Sequence, residues 1–229
     1  MMLKPARYTI AFYGVSHAAQ HLKMGARFRG LKVVDDPAQA DVLFVSEDTP
    51  TDEFGFRNTD PIKALLEVAL TEAADQRQVV LTSQVPPGFC AQFCVSNLFH
   101  QAETLRIIDA EERAMNPEQI IVGGAGEIGP AYLEYLLAFE CPILRMSWED
   151  AEFTKIAINM MLAQQVEATN RLSEAAAKVG ADWEQVARAL RNDKRIGKYA
   201  YLTPGRWQDS LHLLRDARTL EEICTPSNS

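Results

Sequence analysis

Residues Ala40–Ala74, ADVLFVSEDTPTDEFGFRNTDPIKALLEVALTEAA, decide the fold class. The run opens with ADVLFVS, an apolar stretch of strand length, and then breaks into EDTPTDEFG, a cluster of turn-forming residues. It resumes as DPIKALLEVALTEAA, where Asp60 is placed to cap a helix and Pro61 to occupy its first position. Ile62, Leu65, Leu66 and Ala69 then fall on one face. Strand, loop and amphipathic helix in that order form the first part of a βαβ unit, with the loop at the strand's carboxyl end.

Outward from this unit the same order recurs. Upstream, Tyr8–Gly14 (YTIAFYG) is a β-branched and aromatic run closed by glycine, followed by SHAAQHLKMGARF, which reads as helical up to Gly25. Downstream, QVVLTS and EQIIVGG are continuous apolar runs of the kind that parallel strands covered on both faces show. The alternation predicts an α/β chain with an abbreviated, Rossmann-like, doubly wound parallel sheet.

Past Trp148 the pattern is helical only. Trp148 to about Val179 contains no Gly or Pro, and Phe153, Ile156, Ala157, Met160 and Met161 mark its expected buried stripe. VGAD (Val179–Asp182) stops this helix with a glycine, and Asp182 caps a shorter one bearing Trp183, Val186, Ala187 and Leu190. The expected organisation is a shortened Rossmann-like domain over 1–146, a helical domain over 147–223, and a disordered tail over 224–229. The long helix either lies against its own domain or forms the spine of a homodimer.

Composition narrows the function classes. The formal charge of -8 and a pI near 5.1, with Lys and Arg scattered, give no basic face for a phosphate backbone, so nucleic acid is not an expected partner. No apolar run approaches the roughly 20 residues needed to span a bilayer, and MMLKPARYTIAFYG lacks the marks of a signal peptide. A cytoplasmic protein without membrane contact is expected. Cys90, Cys94, Cys141 and Cys224 show no metal-ligand spacing and read as free buried thiols, with no metal site.

Several strings carry more specific information. They are DTPTDEFG (Asp48–Gly55), TSQVPPG (Thr82–Gly88), NPEQIIVGG (Asn116–Gly124), AEFTKIAINMMLA (Ala151–Ala163), Asn170 and Glu174 followed by VGAD, and DKRIGKYAYLTPG (Asp193–Gly205). In this order and spacing, over roughly Leu31–Leu220, they resemble the NAD-dependent nucleotide-sugar 6-dehydrogenases, the UDP-glucose and GDP-mannose dehydrogenase family. The resemblance implies NAD as cofactor, a UDP- or GDP-sugar as substrate, and oxidation of a primary alcohol to an acid. Two hydride transfers of that kind need a base, an oxyanion stabiliser and a nucleophile that traps the aldehyde.

By the same resemblance, Thr49 and Pro50 lie against the nicotinamide ribose, Gly14 and Ser16 belong to the dinucleotide turn, and Gln84 takes the place of the turn's threonine. Lys155 and Asn159, four residues apart and so on one helix face, steady an oxyanion and an ordered water, and Asp216 works through that water as general base. Glu103 matches the first glutamate of P-E-F-L-x-E-G. Arg195 matches an arginine that reaches the neighbouring subunit's substrate, and Gly205 lies in the substrate loop. Lys155, Asn159 and Asp216 are expected to converge on one cavity between sheet and helical layer.

The pattern also breaks. In RWQDSLHLLRD the family's nucleophilic cysteine is replaced by His212, four residues before Asp216, and imidazole forms no stable thioester equivalent. Gln84 and Ile107 remove polar groups. GVSHAA (Gly14–Ala19) keeps only the first glycine of G-x-G-x-x-G. Only about 20 residues separate that turn from LKVVDDPAQAD, so the second strand, its ribose-binding acid and its helix are expected to be largely missing, and the family's C-terminal domain with them. GAGEIG (Gly124–Gly129) fits the glycine pattern literally, but reads as a loop-to-helix join leaving the sheet, able at most to hold an anion.

Three functions compete. The first is a homodimeric nucleotide-sugar dehydrogenase homologue with impaired or lost alcohol-to-acid oxidation. The second is an active oxidoreductase of altered scope with His212 and Asp216 as an acid–base pair, and the third a non-catalytic partner subunit in polysaccharide biosynthesis.

Overall fold

The computed structural model describes residues 6–73 and 77–225. Ala74, at the end of the expected helix, and residues 226–229 of the expected tail lie outside them. The chain forms two compact units, one running to Pro50 and from Arg57 to Lys155, the other comprising Thr51–Phe56 and the chain from Ile156 onward.

The first unit is built on seven strands: β1 (Thr9–Tyr13), β2 (Lys32–Val33), β3 (Val42–Val45), β4 (Gln78–Leu81), β5 (Leu98–Ala102), β6 (Ile120–Gly123) and β7 (Ile143–Met146). Its helices are α1 (His17–Phe28), α2 (Asp60–Glu72), α3 (Ala110–Met115), α4 (Pro130–Leu137) and the start of α5 (Trp148–Lys178). The strand order is β2-β1-β3-β4-β5-β6-β7, with every pairing parallel except that of β5 with β6. In β3 all four side chains are buried, and they alternate between two cores. Val42 and Phe44 join Phe12, Leu22, Tyr132, Tyr135 and Leu136 on the α1/α4 face. Leu43 and Val45 join Ile62, Leu66 and Ala69 on the α2 face. A strand covered on both sides has no polar position to spare, hence its unbroken apolar sequence.

Several expectations need correction. The sheet is not wholly parallel, because β6 and β7 run against β1–β5. Strand β2 exists, but as a stub beside the base of β1, with Val33 opposite Ile10. A strand that rises so little needs no return helix: the chain passes under β1 through a single turn of 3-10 helix, held by Asp41 N–H to the Thr9 carbonyl (2.9 Å) and by Thr9 N–H to the Asp41 carboxylate (2.7 Å). Helix α1 continues through Gly25 to Phe28. Gly25 is an interior packing position, where a Cβ would stand 2.1 Å from the Ala114 carbonyl oxygen of α3. The N-cap of α2 is Thr59, so Asp60 opens the helix and Pro61 follows it. Of the four thiols, all free, Cys90 is buried, Cys141 half-buried, and Cys94 and Cys224 exposed.

The glycine-rich GAGEIG segment does not leave the sheet. It joins β6 to α4, and the parallel strand β7 follows, so it sits inside a βαβ unit. Because β6 is antiparallel to β5, this loop lies at the opposite edge of the sheet from Gly14. Its glycines allow close packing: a Cβ on Gly126 would stand 2.0 Å from the Ser96 carbonyl oxygen, and one on Gly124 2.6 Å from the Phe99 ring. Arg145 donates to the Gly126 carbonyl (2.8 Å), and the Gly129 amide at the head of α4 donates to Gln78 Oε1 (2.9 Å).

The second unit contains the remainder of α5, α6 (Trp183–Asn192), α7 (Leu211–Cys224) and the short loop Thr51–Phe56. Gly180 at φ +71° ends α5, and the Asp182 side chain caps α6 by accepting from the Glu184 amide at 2.9 Å. The segment between α6 and α7 is strapped to α5. Asn170 holds Gly205 with both amide atoms (2.8 and 2.9 Å), Thr169 donates to the Tyr201 carbonyl (2.8 Å), and Gln165 accepts from the Tyr201 amide (3.0 Å).

The buried stripe of α5 is rotated from the expected one. Phe153 and Met161 are 41% and 64% exposed, and Ala157 and Met160 are half-buried, whereas Ile156, Asn159, Ala163, Thr169 and Ala176 are buried. Asn159 and Thr169 tolerate burial because each has a hydrogen-bond partner.

Candidate active site

Two constellations carry the residues singled out from sequence, one in each unit. In the first unit they gather at the carboxyl end of β1, β3 and β4. Gly14 closes β1 at φ +92°, and a Cβ there would stand 2.2 Å from the Ser46 carbonyl oxygen at the end of β3, so only glycine fits. Ser16 caps α1: its Oγ accepts from the Ala19 amide (2.9 Å) and donates to the Ser46 carbonyl (2.9 Å). Glu47 reaches into this turn, with Oε2 accepting from the Val15 amide at 3.2 Å. Ser83 Oγ holds the Glu47 amide at 2.9 Å.

These contacts test the fit of a dinucleotide. A glycine turn of this type binds a pyrophosphate through open backbone amides and the positive end of the following helix. Here the Val15 amide faces a carboxylate and the Ala19 amide a serine hydroxyl, so the turn as built does not fit the phosphates of NAD. Strand β2 is a stub paired with β1 only at Thr9 and Ile10, and Asp35 and Asp36 follow it.

Beside the turn, Thr49, Gln84 and Glu103 form a connected set. Thr49 Oγ1 donates to the Gln84 carbonyl (2.6 Å), and Gln84 Nε2 donates to Glu103 Oε2 (3.4 Å). Arg57 also reaches the Gln84 carbonyl, at 3.5 Å. Pro50 is exposed. The PPG turn next to Gln84 is pinned from α5 by Glu152, whose carboxylate accepts from the Gly88 amide (2.6 Å) and the Cys90 amide (2.8 Å). Glu152 is 1% exposed, and burial raises its carboxyl above the ordinary range while the two amides pull it back down. The Cys90 thiol next to it is pushed well up by burial and by that carboxylate, which makes it a poor source of thiolate.

In the second unit the central pair is Asn159 on α5 and Asp216 on α7, with Asn159 Nδ2 donating to Asp216 Oδ2 at 2.6 Å. Asn159 is 8% and Asp216 1% exposed. Arg215, buried beside them, has its Nε 3.6 Å from Asp216 Oδ1. A carboxylate set between an amide donor and a guanidinium keeps a fixed orientation. Lys155, the last residue of the first unit, lies on α5 one turn before Asn159 and is half-buried. His212 occupies the first turn of α7, exposed, one helical turn before Asp216. Arg195 is exposed and folds back on Asp193, with Nη2 at 2.7 Å from Oδ2, which holds the Asp193 carboxyl below its ordinary range. Gly205 serves the strap to Asn170 through both backbone atoms. From the DTPTDEFG loop, Gly55 at φ +87° lies where a Cβ would meet the Leu214 carbonyl at 3.1 Å, and the Arg218 guanidinium stacks over Phe56 at 4.5 Å.

Among the residues of these constellations with no role assigned from sequence are Glu47, Glu152 and Arg215. Glu152 stands within the A-E-F-T-K string and Arg215 adjoins Asp216, so both had a positional signal. Glu47 had none, since its partner lies 32 residues away at Val15.

Residues 149–225 match the model of the UDP-glucose/GDP-mannose dehydrogenase family, central domain. The UDP-glucose 6-dehydrogenase YwqF of Bacillus subtilis is 31% identical over 172 residues, covering 70% of this chain and 39% of that protein. The fold is shared with a UDP-glucose dehydrogenase from the hyperthermophilic archaeon Pyrobaculum islandicum, at a TM-score of 0.73, 20% identity, and coverage of 93% of this chain and 64% of that one. It is shared also with Psf3, solved in complex with NADP+ and 2-OPP, at a TM-score of 0.60, 16% identity, and coverage of 96% and 88%. The chain belongs to the UDP-glucose/GDP-mannose dehydrogenase family, the nucleotide-sugar dehydrogenases. It spans well under half the length of a curated relative such as YwqF. Among the described residues no helix is long and apolar enough to cross a membrane.

Proposed function

We propose that this chain is a nucleotide-sugar dehydrogenase homologue that receives a UDP- or GDP-sugar at the Asn159–Asp216 pair and does not carry the sugar alcohol through to an acid. The observation that carries this reading is the pairing on α7: Asp216 is buried and oriented by Asn159, while the position one turn earlier holds His212. By the family's covalent route a thiolate adds to the aldehyde as a thiohemiacetal, loss of the second hydride turns this into an enzyme-bound thioester, and water hydrolyses the thioester to the acid and releases the thiolate. An imidazole in that position supports proton transfer and no such acyl intermediate. NAD is the cofactor that the family resemblance implies, but the turn at Gly14–Ser16 does not fit its phosphates, so no step is assigned to it.

Homodimerisation through α5 belongs to the same proposal. Met161, Ala168, Leu172 and Ala175 are exposed along one stripe of this helix, and small residues between larger apolar ones let two helices approach closely. The setting proposed is the cytoplasm, with activated sugars as the ligands.

A thermal-shift screen with UDP-sugars and GDP-sugars, paired with product analysis after incubation with NAD, tests the reading. Stabilisation by one nucleotide sugar without uronic acid is the expected result. Acid formation at an ordinary enzymatic rate, on the order of 1 per second or faster, overturns it, and a monomer on analytical ultracentrifugation overturns the dimer.

A further inference from the structure

We infer that Glu47 is the specificity-determining residue of the dinucleotide turn: its carboxylate stands in the place of a pyrophosphate oxygen and sets whether this chain accepts a dinucleotide. The inference rests on the family reading above, because only in that family is the Gly14–Ala19 turn a cofactor site.

The geometry makes Glu47 a fixture of the turn. Its backbone amide is held by Ser83 Oγ at 2.9 Å, which fixes where the side chain begins. One carboxylate oxygen, Oε2, accepts from the Val15 amide at 3.2 Å and lies 2.9 Å from the place a Cβ on Gly14 would occupy. The other, Oε1, is 3.3 Å from the Asp48 amide. The carboxylate thus fills the space that the bare glycine leaves open. It also takes up a backbone donor at the positive end of α1, where anions are favoured. Ser16 takes up a second donor of the turn, the Ala19 amide, and bridges to Ser46, whose Oγ lies 3.1 Å from Ser16 Oγ. A phosphate arriving here meets like charge and an occupied amide. An internal carboxylate needs no loss of translational freedom to bind, so it outcompetes a dissolved anion of similar chemistry.

The test uses the full chain and NADH itself, followed by fluorescence titration and by calorimetry with NAD. Wild type, Glu47→Gln, Glu47→Ala and Ser16→Gly/Glu47→Ala are compared. The glutamine keeps the bulk and removes the charge, which guards against a mere folding defect, and thermal melts check that each variant is native. The expected result is a flat wild-type titration, saturable binding in Glu47→Ala at least about tenfold tighter than wild type, and an intermediate gain in Glu47→Gln. Two results overturn the inference: native Glu47→Ala and Ser16→Gly/Glu47→Ala that titrate like wild type, or a Glu47→Gln that weakens binding the wild type already shows, since Glu47 then holds the cofactor. Nucleotide-sugar thermal shifts on the same proteins separate the two readings. Stabilisation of wild type by a UDP- or GDP-sugar with no dinucleotide gain in the variants overturns this inference alone. A dinucleotide gain with no nucleotide-sugar response overturns the sugar-binding proposal alone.

Discussion

Asn159 Nδ2 lies 2.6 Å from Asp216 Oδ2, joining α5 to α7 through a bond that water barely reaches. Replacing Asn159 by Ala leaves a buried carboxylate short of a donor and is expected to cost roughly 1–3 kcal/mol in urea denaturation. Asp216→Ala is expected to cost a similar amount. The two losses should not add, because each variant already breaks the shared bond; a coupling energy of roughly 0.5–3 kcal/mol is expected from the double-mutant cycle. Strict additivity would show that the pair is not energetically linked.

Glu152 predicts a pH dependence. Burial holds its carboxyl above the ordinary 4.5, so between that value and the raised folded-state value the native protein binds more protons than the unfolded chain. Stability contributed by the protonated form is therefore present below 4.5 and lost as pH rises through the folded-state value. Glu152→Gln cannot ionise and should flatten this component in denaturation measured from about pH 4 to 7. It also turns an amide group toward one of the Gly88 and Cys90 donors and should cost roughly 1–3 kcal/mol. An unchanged pH profile would show that Glu152 titrates normally.

His100 acts with the opposite sign at neighbouring pH. It is fully buried on β5, and burial alone lowers its pKa from 6.5 to about 4; Nδ1 has no hydrogen-bond partner among the described residues. The neutral folded ring contributes stability that is present above pH 6.5 and lost as pH falls toward about 4, amounting to about 3 kcal/mol at 1.36 kcal/mol per pKa unit. His100→Leu should remove that loss, with the gain over wild type appearing only below pH 6.5. A gain of equal size at neutral pH would point to packing as the cause.

Glycine substitutions separate steric from conformational demands. Gly14→Ala combines φ +92° with a Cβ 2.2 Å from the Ser46 carbonyl oxygen, and Gly25→Ala brings a Cβ to 2.1 Å from the Ala114 carbonyl. Each is expected to cost about 2 kcal/mol or more, lowering Tm by about 2–4 °C per kcal/mol for a chain of this size. At Gly205 a Cβ would have no atom within 4 Å, and φ is not positive, so Gly205→Ala should stay within about 0.5 kcal/mol of wild type. Equal losses at all three positions would refute the packing argument.

The parts of the fold legible in the sequence are those whose burial leaves a periodic trace. Strands β3 and β6 are apolar throughout, and β4 is so after Gln78; α2 is legible from its apolar spacing, α5 from its long run without Gly or Pro, and α6 from its Asp182 cap. Strand β5, LFHQA, is hidden because it buries His100 and Gln101; Gln101 is accommodated by the Tyr132 hydroxyl at 3.1 Å, a partner 31 residues away. The reversal at β6 leaves no mark, since periodicity records which faces are covered and not which way a strand runs. The same limit rotated the stripe of α5: hydropathy discards Asn159, whereas the structure buries it against Asp216. Asn159 and Asp216 were reachable through family resemblance, and Thr49, Gln84 and Glu103 likewise. Glu47 was not, because its importance lies in a contact between two loops that neither string encodes.

The shortness of β2 has a consequence for how freely this chain can be edited. Every pairing that fixes the Gly14 turn runs through β1, β3 and β4, with Tyr13 opposite Val45 and Val45 opposite Leu81, whereas β2 touches β1 only at Thr9 and Ile10. The margin is mechanically decoupled from the turn. A strand and helix grafted between Val33 and Val42 would lengthen the sheet sideways without disturbing the register of any strand that shapes the Gly14 turn, which makes that junction the natural port for adding a full-height edge strand.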